Sequence, residues 1–292
     1  MKSIEVLNQI SQVNSKIIYD SPAVEMTKAE LLEYIAEKKI EIDKKLIDQA
    51  INKVERIENN CAQLGIKKCC IHDKEYPYQL STIKQPPVVL YYKGDIFKLN
   101  QKKNVAVIGT RKPTQEGERI SYNLANVLSK RGYGIINGLA LGCDTYAIKG
   151  SIDADVQYPV AVLAGGLDKI YPKSNEKLAE DILSKNGCLI SEYEPFTEVK
   201  RYMYVQRDRI QAGLSDGVIM IEAMKESGTM HTINYAKAYD RVVACYKEKS
   251  GNFTGNQYLM EEGCLVLENN DDLQKFEDML RRLTYYQMSL FK

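Results

Sequence analysis

Histidine is nearly missing from this chain. Only two of the 292 residues are histidines, His72 and His231, far apart in sequence, so catalytic constellations built on an imidazole have little to draw on. Excess charge is missing too. Forty Lys and Arg stand against 39 Asp and Glu, a net charge of +1, so any anion-binding surface has to be local and segregated. No run of 18 apolar residues occurs, so no membrane-spanning helix is expected. The N-terminus, Met1-Lys2-Ser3-Ile4-Glu5, lacks the apolar core of a secretion leader, and the expected location is cytoplasmic. The seven cysteines are odd in number and several lie in apolar strand patterns, which suits reduced thiols used as small core residues. Cys69-Cys70-Ile71-His72 has no second cluster at zinc spacing, so no metal is expected. No Walker A sequence is present, and Gly109 lacks the further glycines of the dinucleotide fingerprint. Neither NAD nor ATP is inferred, and no cofactor is expected. No fixed-period repeat or low-complexity tract occurs.

What is present centres on Asn104-Val105-Ala106-Val107-Ile108-Gly109-Thr110-Arg111-Lys112-Pro113. Its apolar run does not alternate, which suits a strand covered on both faces of a parallel sheet. Gly109 allows a tight turn and close backbone approach. A helix starting near Pro113 would aim free N–H groups at the same spot, beside Arg111 and Lys112. The stretch reads either as an anion site at a strand end or as a plain βα turn with solvated charges.

Residues 1–65 carry helical periodicity, with Thr27 and Asp43 as candidate caps. From Met1 to Asn60 nine basic residues face eleven acidic ones, which argues against this part as the main nucleic-acid surface. The segment from Cys69 to Asp95 is turn-rich and contains a strand at 88–92. From residue 104 onward seven strand patterns alternate with helices: 105–108, 134–137, 159–164, 188–191, 218–221, 242–246 and 264–267. A closing helix begins near Asp271. Such alternation predicts an α/β fold, an extended Rossmann-like, doubly wound, mostly parallel sheet over residues 66–292, preceded by the small helical domain of 1–65.

Five loops follow strand ends: Gly109-Thr110-Arg111, Gly138 to Asp144, Gly165-Gly166-Leu167-Asp168, Ser227-Gly228-Thr229 and Gly255-Asn256. In a parallel sheet they emerge on one edge and present backbone N–H donors suited to phosphates. The stretch Lys200 to Arg209 interleaves four basic residues with Tyr202 and Tyr204. It suits a single-stranded nucleic acid, or a surface helix whose tyrosines cover the core. Glu192, Glu222 and Glu226, at or just after strand ends, are candidate general bases for chemistry on a nucleotide.

Taken as a set, these motifs resemble the DprA/Smf family, the DNA-processing proteins of bacterial transformation. The resemblance runs from about Tyr76 to Leu273. It rests on Pro86-Pro87-Val88-Val89-Leu90-Tyr91, Val107-Ile108-Gly109-Thr110-Arg111, Asn137-Gly138-Leu139-Ala140, Ala164-Gly165-Gly166-Leu167-Asp168, Ile170-Tyr171-Pro172, Arg207-Asp208-Arg209-Ile210-Gln211-Ala212-Gly213 and Ser227-Gly228-Thr229, in the family's order. It implies a dimeric, non-enzymatic protein that binds single-stranded DNA and hands it to a RecA-type recombinase. By resemblance, Gly109, Thr110, Arg111, Lys173 and Asn175 match the DNA-binding pocket, and Arg207 and Arg209 match the family's arginine pair. Together with the strand-end loops, the expected DNA-binding set is Gly109, Thr110, Arg111, Lys112, Gly138, Gly165, Gly166, Lys173, Asn175, Arg207, Arg209, Ser227, Gly228, Thr229 and Asn256.

The sequence also departs from the family. Leu141 stands where Arg is usual, Cys143 where Ile is, Ile148 near a usual His, and Asp208 where Asn is. Losing a cation and gaining an anion should weaken phosphate binding. The winged-helix domain that many members carry at the C-terminus is not expected here. The alternative reading is a Rossmann-like nucleotide sensor or a nucleotide phosphoribohydrolase-like enzyme, because Ser227-Gly228-Thr229 resembles part of the loop of those proteins. The Glu expected next is replaced by Met230-His231.

Overall fold

The computed structural model describes residues 2–289. The N-terminal segment forms α1 (Ser3–Asn8), α2 (Ser15–Tyr19), α3 (Lys28–Glu37) and α4 (Lys44–Leu64). Thr27 and Asp43 cap α3 and α4, accepting from the amides of Glu30 and Lys45. Ile47, Ala50, Ile51, Val54, Ile57 and Cys61 give α4 one buried stripe at helical spacing. Gly65, with φ of 62°, ends it in the left-handed region that glycine adopts without strain.

The rest of the chain builds one nine-stranded sheet. In order come β1 (Lys67–Cys70), α5 (Tyr78–Ser81), β2 (Val89–Gly94), β3 (Asn104–Ile108), α6 (Gln115–Lys130), β4 (Gly134–Asn137) and α7 (Cys143–Ile152). Then follow β5 (Pro159–Val162), α8 (Glu176–Ser184), β6 (Cys188–Ser191), α9 (Arg201–Leu214), β7 (Gly217–Met220) and α10 (Thr229–Ala238). β8 (Val242–Tyr246), α11 (Thr254–Glu261), β9 (Leu265–Leu267) and α12 (Asn270–Ser289) complete it. The strand order is β1-β2-β6-β5-β4-β3-β7-β8-β9. The pairs from β6 to β9 are parallel, and β1 and β2 are added antiparallel at one side. The mostly parallel α/β sheet expected from the alternation is therefore present. β1 is an addition that its Lys67-Lys68-Cys69-Cys70 sequence did not announce.

Both faces of the central strands are apolar. Val105 and Val107 of β3 pack toward α6, α7 and α12 with Leu128, Ala147 and Phe276. Ala106 and Ile108 pack toward α9, α10 and α11 with Ala212, Ile233 and Leu259. This explains the unbroken hydrophobic run. The N-terminal helices share one buried cluster with the other half of the sheet, where Ile4, Leu7, Leu31 and Val54 join Val89, Tyr91, Ala161 and Leu189.

The chain winds from β3 outward to β6, then returns to the other side of β3 as β7. That reversal opens a crevice at the carboxyl ends of β3 and β7, the place where open α/β sheets hold ligands.

Candidate nucleic-acid interface

An open cavity of about 700 Å³ occupies that crevice. β3 delivers Gly109, Thr110, Arg111 and Lys112 to one wall, and the loop entering α10 delivers Ser227, Gly228 and Thr229. Gly109 has no room for a side chain, since a Cβ there would lie 2.5 Å from Cys143 Sγ and 3.0 Å from the Glu222 carbonyl. The turn is stitched in place from both sides. The Thr110 amide donates to the Glu222 carbonyl at 2.6 Å, and the Cys143 amide donates to the Thr110 carbonyl at 3.1 Å. Thr229 Oγ1 donates to the Gly109 carbonyl at 3.1 Å.

α9 forms the opposite wall. Arg201, Tyr204, Val205, Asp208 and Gln211 line the cavity, and their spacing of three or four places them on one helical stripe. The Arg111 guanidinium lies 5.6 Å from the centre of the Tyr204 ring, a cation–π pairing that joins the two walls. Arg207 lies deeper, 6% exposed. Its Nη1 donates to the Val162 carbonyl at 3.0 Å and its Nε to Asp208 Oδ1 at 3.1 Å.

Charge is layered by depth. Arg111, Lys112 and Arg201 are exposed at the rim. Asp144 and Asp208 are buried at the floor, with Arg207 between them. Asp144 accepts the amides of Gly138 at 2.9 Å and Ala140 at 3.3 Å. Burial pushes its carboxyl up to about 6, with Arg207 opposing the shift. Burial also raises Asp208, again against the pull of Arg207.

The helix that was to aim its N-terminus at a ligand does something else. Thr114 caps α6 and is itself held by Glu222, donating through its amide at 2.8 Å and its hydroxyl at 2.5 Å. The carboxylate fills the space beside Gly117 and is 2% exposed. The N-terminus of α6 is thus occupied by the chain's own anion, and Glu222 acts as a cap.

The family model for DNA recombination-mediator protein A matches residues 67–278. The chain belongs to this family. The DNA processing protein DprA of Bacillus subtilis (strain 168) is 32% identical over 242 residues, 82% of this chain and 80% of that protein. The solved structure of Streptococcus pneumoniae DNA processing protein A is similar with a TM-score of 0.74 and 25% identity, covering 94% of this chain and 98% of that one. The Helicobacter pylori DNA processing protein A, solved to describe its single-stranded DNA binding mode, is similar with a TM-score of 0.66 and 28% identity, covering 77% of this chain and 98% of that one.

Against this family background, the sequence-derived residues divide. Gly109, Thr110, Arg111, Lys112, Arg207, Ser227, Gly228 and Thr229 meet around the one cavity. Gly138 and Gly165 border a narrow cleft beside it, together with Arg207 and Tyr204. Gly138 is glycine because a Cβ would run into the Arg207 guanidinium, and its amide is already taken by Asp144. Gly166 makes room for Asp168, which accepts the Phe196 amide at 2.7 Å.

The remaining residues lie outside the cavity. Asn175 donates to the Leu139 carbonyl and to Thr145 Oγ1, both at 2.9 Å, and clamps the loop before α7. Asn256 is fully buried, donating to the carbonyls of Ile221 at 2.7 Å and Tyr246 at 2.9 Å, and it ties β7 to β8. Lys173 is exposed and lines neither the cavity nor the cleft. Arg209 points away from Arg207, forms an ion pair of 2.5 Å with Glu192, and borders a separate cavity with Tyr19 and Lys84. Reading 200–211 as a helix at 100° per residue would have separated the two arginines.

Among the described residues no helix is long and apolar enough to cross a membrane.

Proposed function

We propose that this chain binds single-stranded DNA in the β3–β7 crevice, without turnover. The observation that carries the reading is the pairing of an exposed cationic rim, Arg111, Lys112 and Arg201, with the half-buried ring of Tyr204 in one cavity. Cations meet phosphates and the ring meets a base, which is how single strands are held without sequence readout. The single-stranded DNA binding mode described for the Helicobacter pylori relative supports the same ligand. The proposal extends to a cytoplasmic homodimer that passes its DNA to a RecA-type recombinase, in keeping with the family's description as recombination mediators.

The test is an anisotropy titration with single- and double-stranded oligonucleotides across a salt series. Arg111→Ala should weaken single-strand binding several-fold and reduce the slope of log K against log salt by about 0.7, the loss of one phosphate contact. An unchanged isotherm for the variant counts against the reading. Of the three carboxylates offered as a base for the phosphoribohydrolase alternative, Glu222 is a buried cap and Glu192 is paired with Arg209. Only Glu226 of the three carboxylates lines the cavity. Release of free base from nucleoside monophosphates would revive it.

A further inference from the structure

The two histidines of the chain stand in opposite situations. His72 is committed, with Nε2 at 2.6 Å from the Tyr19 carbonyl. His231 is exposed and lines the β3–β7 cavity from the first turn of α10. The start of that helix carries no side-chain cap, because its N-cap residue is Gly228. The start of α6, by contrast, is filled by Glu222. An uncapped helix start favours an anion. The phosphoribohydrolase-like loop would put a Glu after Gly-Thr here, and its charge would repel phosphate. This chain has Met230-His231 instead.

Charges of both signs surround the ring. Asp208, on α9 packed alongside α10, is close enough for the His231 charge to act on its carboxyl. Arg201 and Arg207 of α9, Arg111 and Lys112 after β3, Asp144, and Glu226 before α10 line the same cavity. Beneath α10, β7 carries no ionisable group. β8 brings Cys245, which burial pushes up to about 12, and Tyr246, which donates to Glu116 at 2.9 Å. Further along α10, Tyr235 stacks on Tyr239 and Lys237 pairs with Glu262. A phosphate drawn in by Arg111 and Lys112 adds negative charge to this set. An imidazole beside added negative charge takes up a proton, and the imidazolium then donates to a phosphate oxygen.

We propose that His231 is a phosphate contact of this cavity that engages by taking up a proton, so that single-strand binding tightens as the medium turns acid. The inference rests on the single-strand reading above and adds a contact to it. The rim cations hold the strand at any pH, and His231 adds one more grip only when charged.

Anisotropy with a labelled oligothymidine about 20 nucleotides long tests it, since thymine has no group that titrates near neutrality. The unsubstituted chain should bind about fivefold tighter at about pH 6 than at about pH 8, within the tenfold per pH unit that one proton allows. Its slope of log K against log salt should be steeper by about 0.7 at the lower pH, the mark of one added phosphate contact. His231→Gln should keep the affinity at the higher pH and lose the added slope. Any acid tightening left in it belongs to Asp144 and Asp208, whose neutralisation adds no cation to the strand. His231→Arg should bind at the higher pH as tightly as the unsubstituted chain does at the lower. A His231→Gln chain with the unsubstituted chain's pH and salt profiles overturns the proposal, as does a His231→Arg chain that gains nothing. Equal affinity of the unsubstituted chain at both pH values overturns it without any variant and leaves the single-strand reading standing. Failure to bind at either pH overturns both.

Discussion

Asp144 shows how one buried carboxylate can set the pH response of a loop. It holds the amides of Gly138 and Ala140, and burial places its titration near 6. In the unfolded chain the same group ionises near 4. Between those values the folded protein retains a proton that the unfolded chain has released. The stabilisation from this group is therefore complete below about pH 4 and is lost as pH rises through about 6. Asp144→Asn should remove that dependence. Denaturant unfolding compared between about pH 4 and 7 should show the wild type losing up to ~3 kcal/mol more than the variant. Parallel pH profiles for the two proteins would refute the assignment. The residue scale is also where the sequence was least legible. Asn175 matches the family's pocket by resemblance and Asn256 sits in a glycine-bearing strand-end loop, yet each spends its amide on carbonyls far along the chain. Those partners are set by tertiary packing, which no local pattern encodes.

At the scale of elements, α6 and α9 each overturn a simple expectation. The N-terminus of α6 is neutralised by Glu222, 108 residues away in sequence from Thr114. Glu222→Gln keeps the shape and removes the charge, so it should cost about 1–2 kcal/mol in chemical unfolding. Single-strand affinity should stay within about twofold, since Glu222 does not line the cavity. A large loss of binding with stability intact would return Glu222 to the site. α9 sends Arg207 and Arg209 to different cavities, so Arg209→Ala should leave the salt dependence of binding unchanged where Arg111→Ala flattens it. The strands from β3 to β7 were legible because burial on both faces leaves an apolar run, and the half-buried β8 and β9 kept enough of it to be read. β1 was not, because its lysines hide a strand that pairs antiparallel with β2. The glycine turns at Gly109 and Ser227-Gly228-Thr229 were legible as a shared edge, because a parallel sheet aligns the ends of its strands.

For the whole molecule, the notable fact is the apolar cluster shared by the N-terminal helices and the sheet. Leu31 of α3 is fully buried within it. If the cluster unfolds as one unit, Leu31→Ala should cost about 2–5 kcal/mol and move a single calorimetric transition to lower temperature. A new early transition, with the main one unmoved, would show the helices melting by themselves. The sheet's outer margins bear on how copies could associate. At one side β1 opens with Lys67 and Lys68, and at the other β9 has three residues. Lysine-bearing or very short margins resist being extended by a neighbouring backbone. Two copies that joined would consequently do so through side-chain surfaces and not by lengthening the sheet.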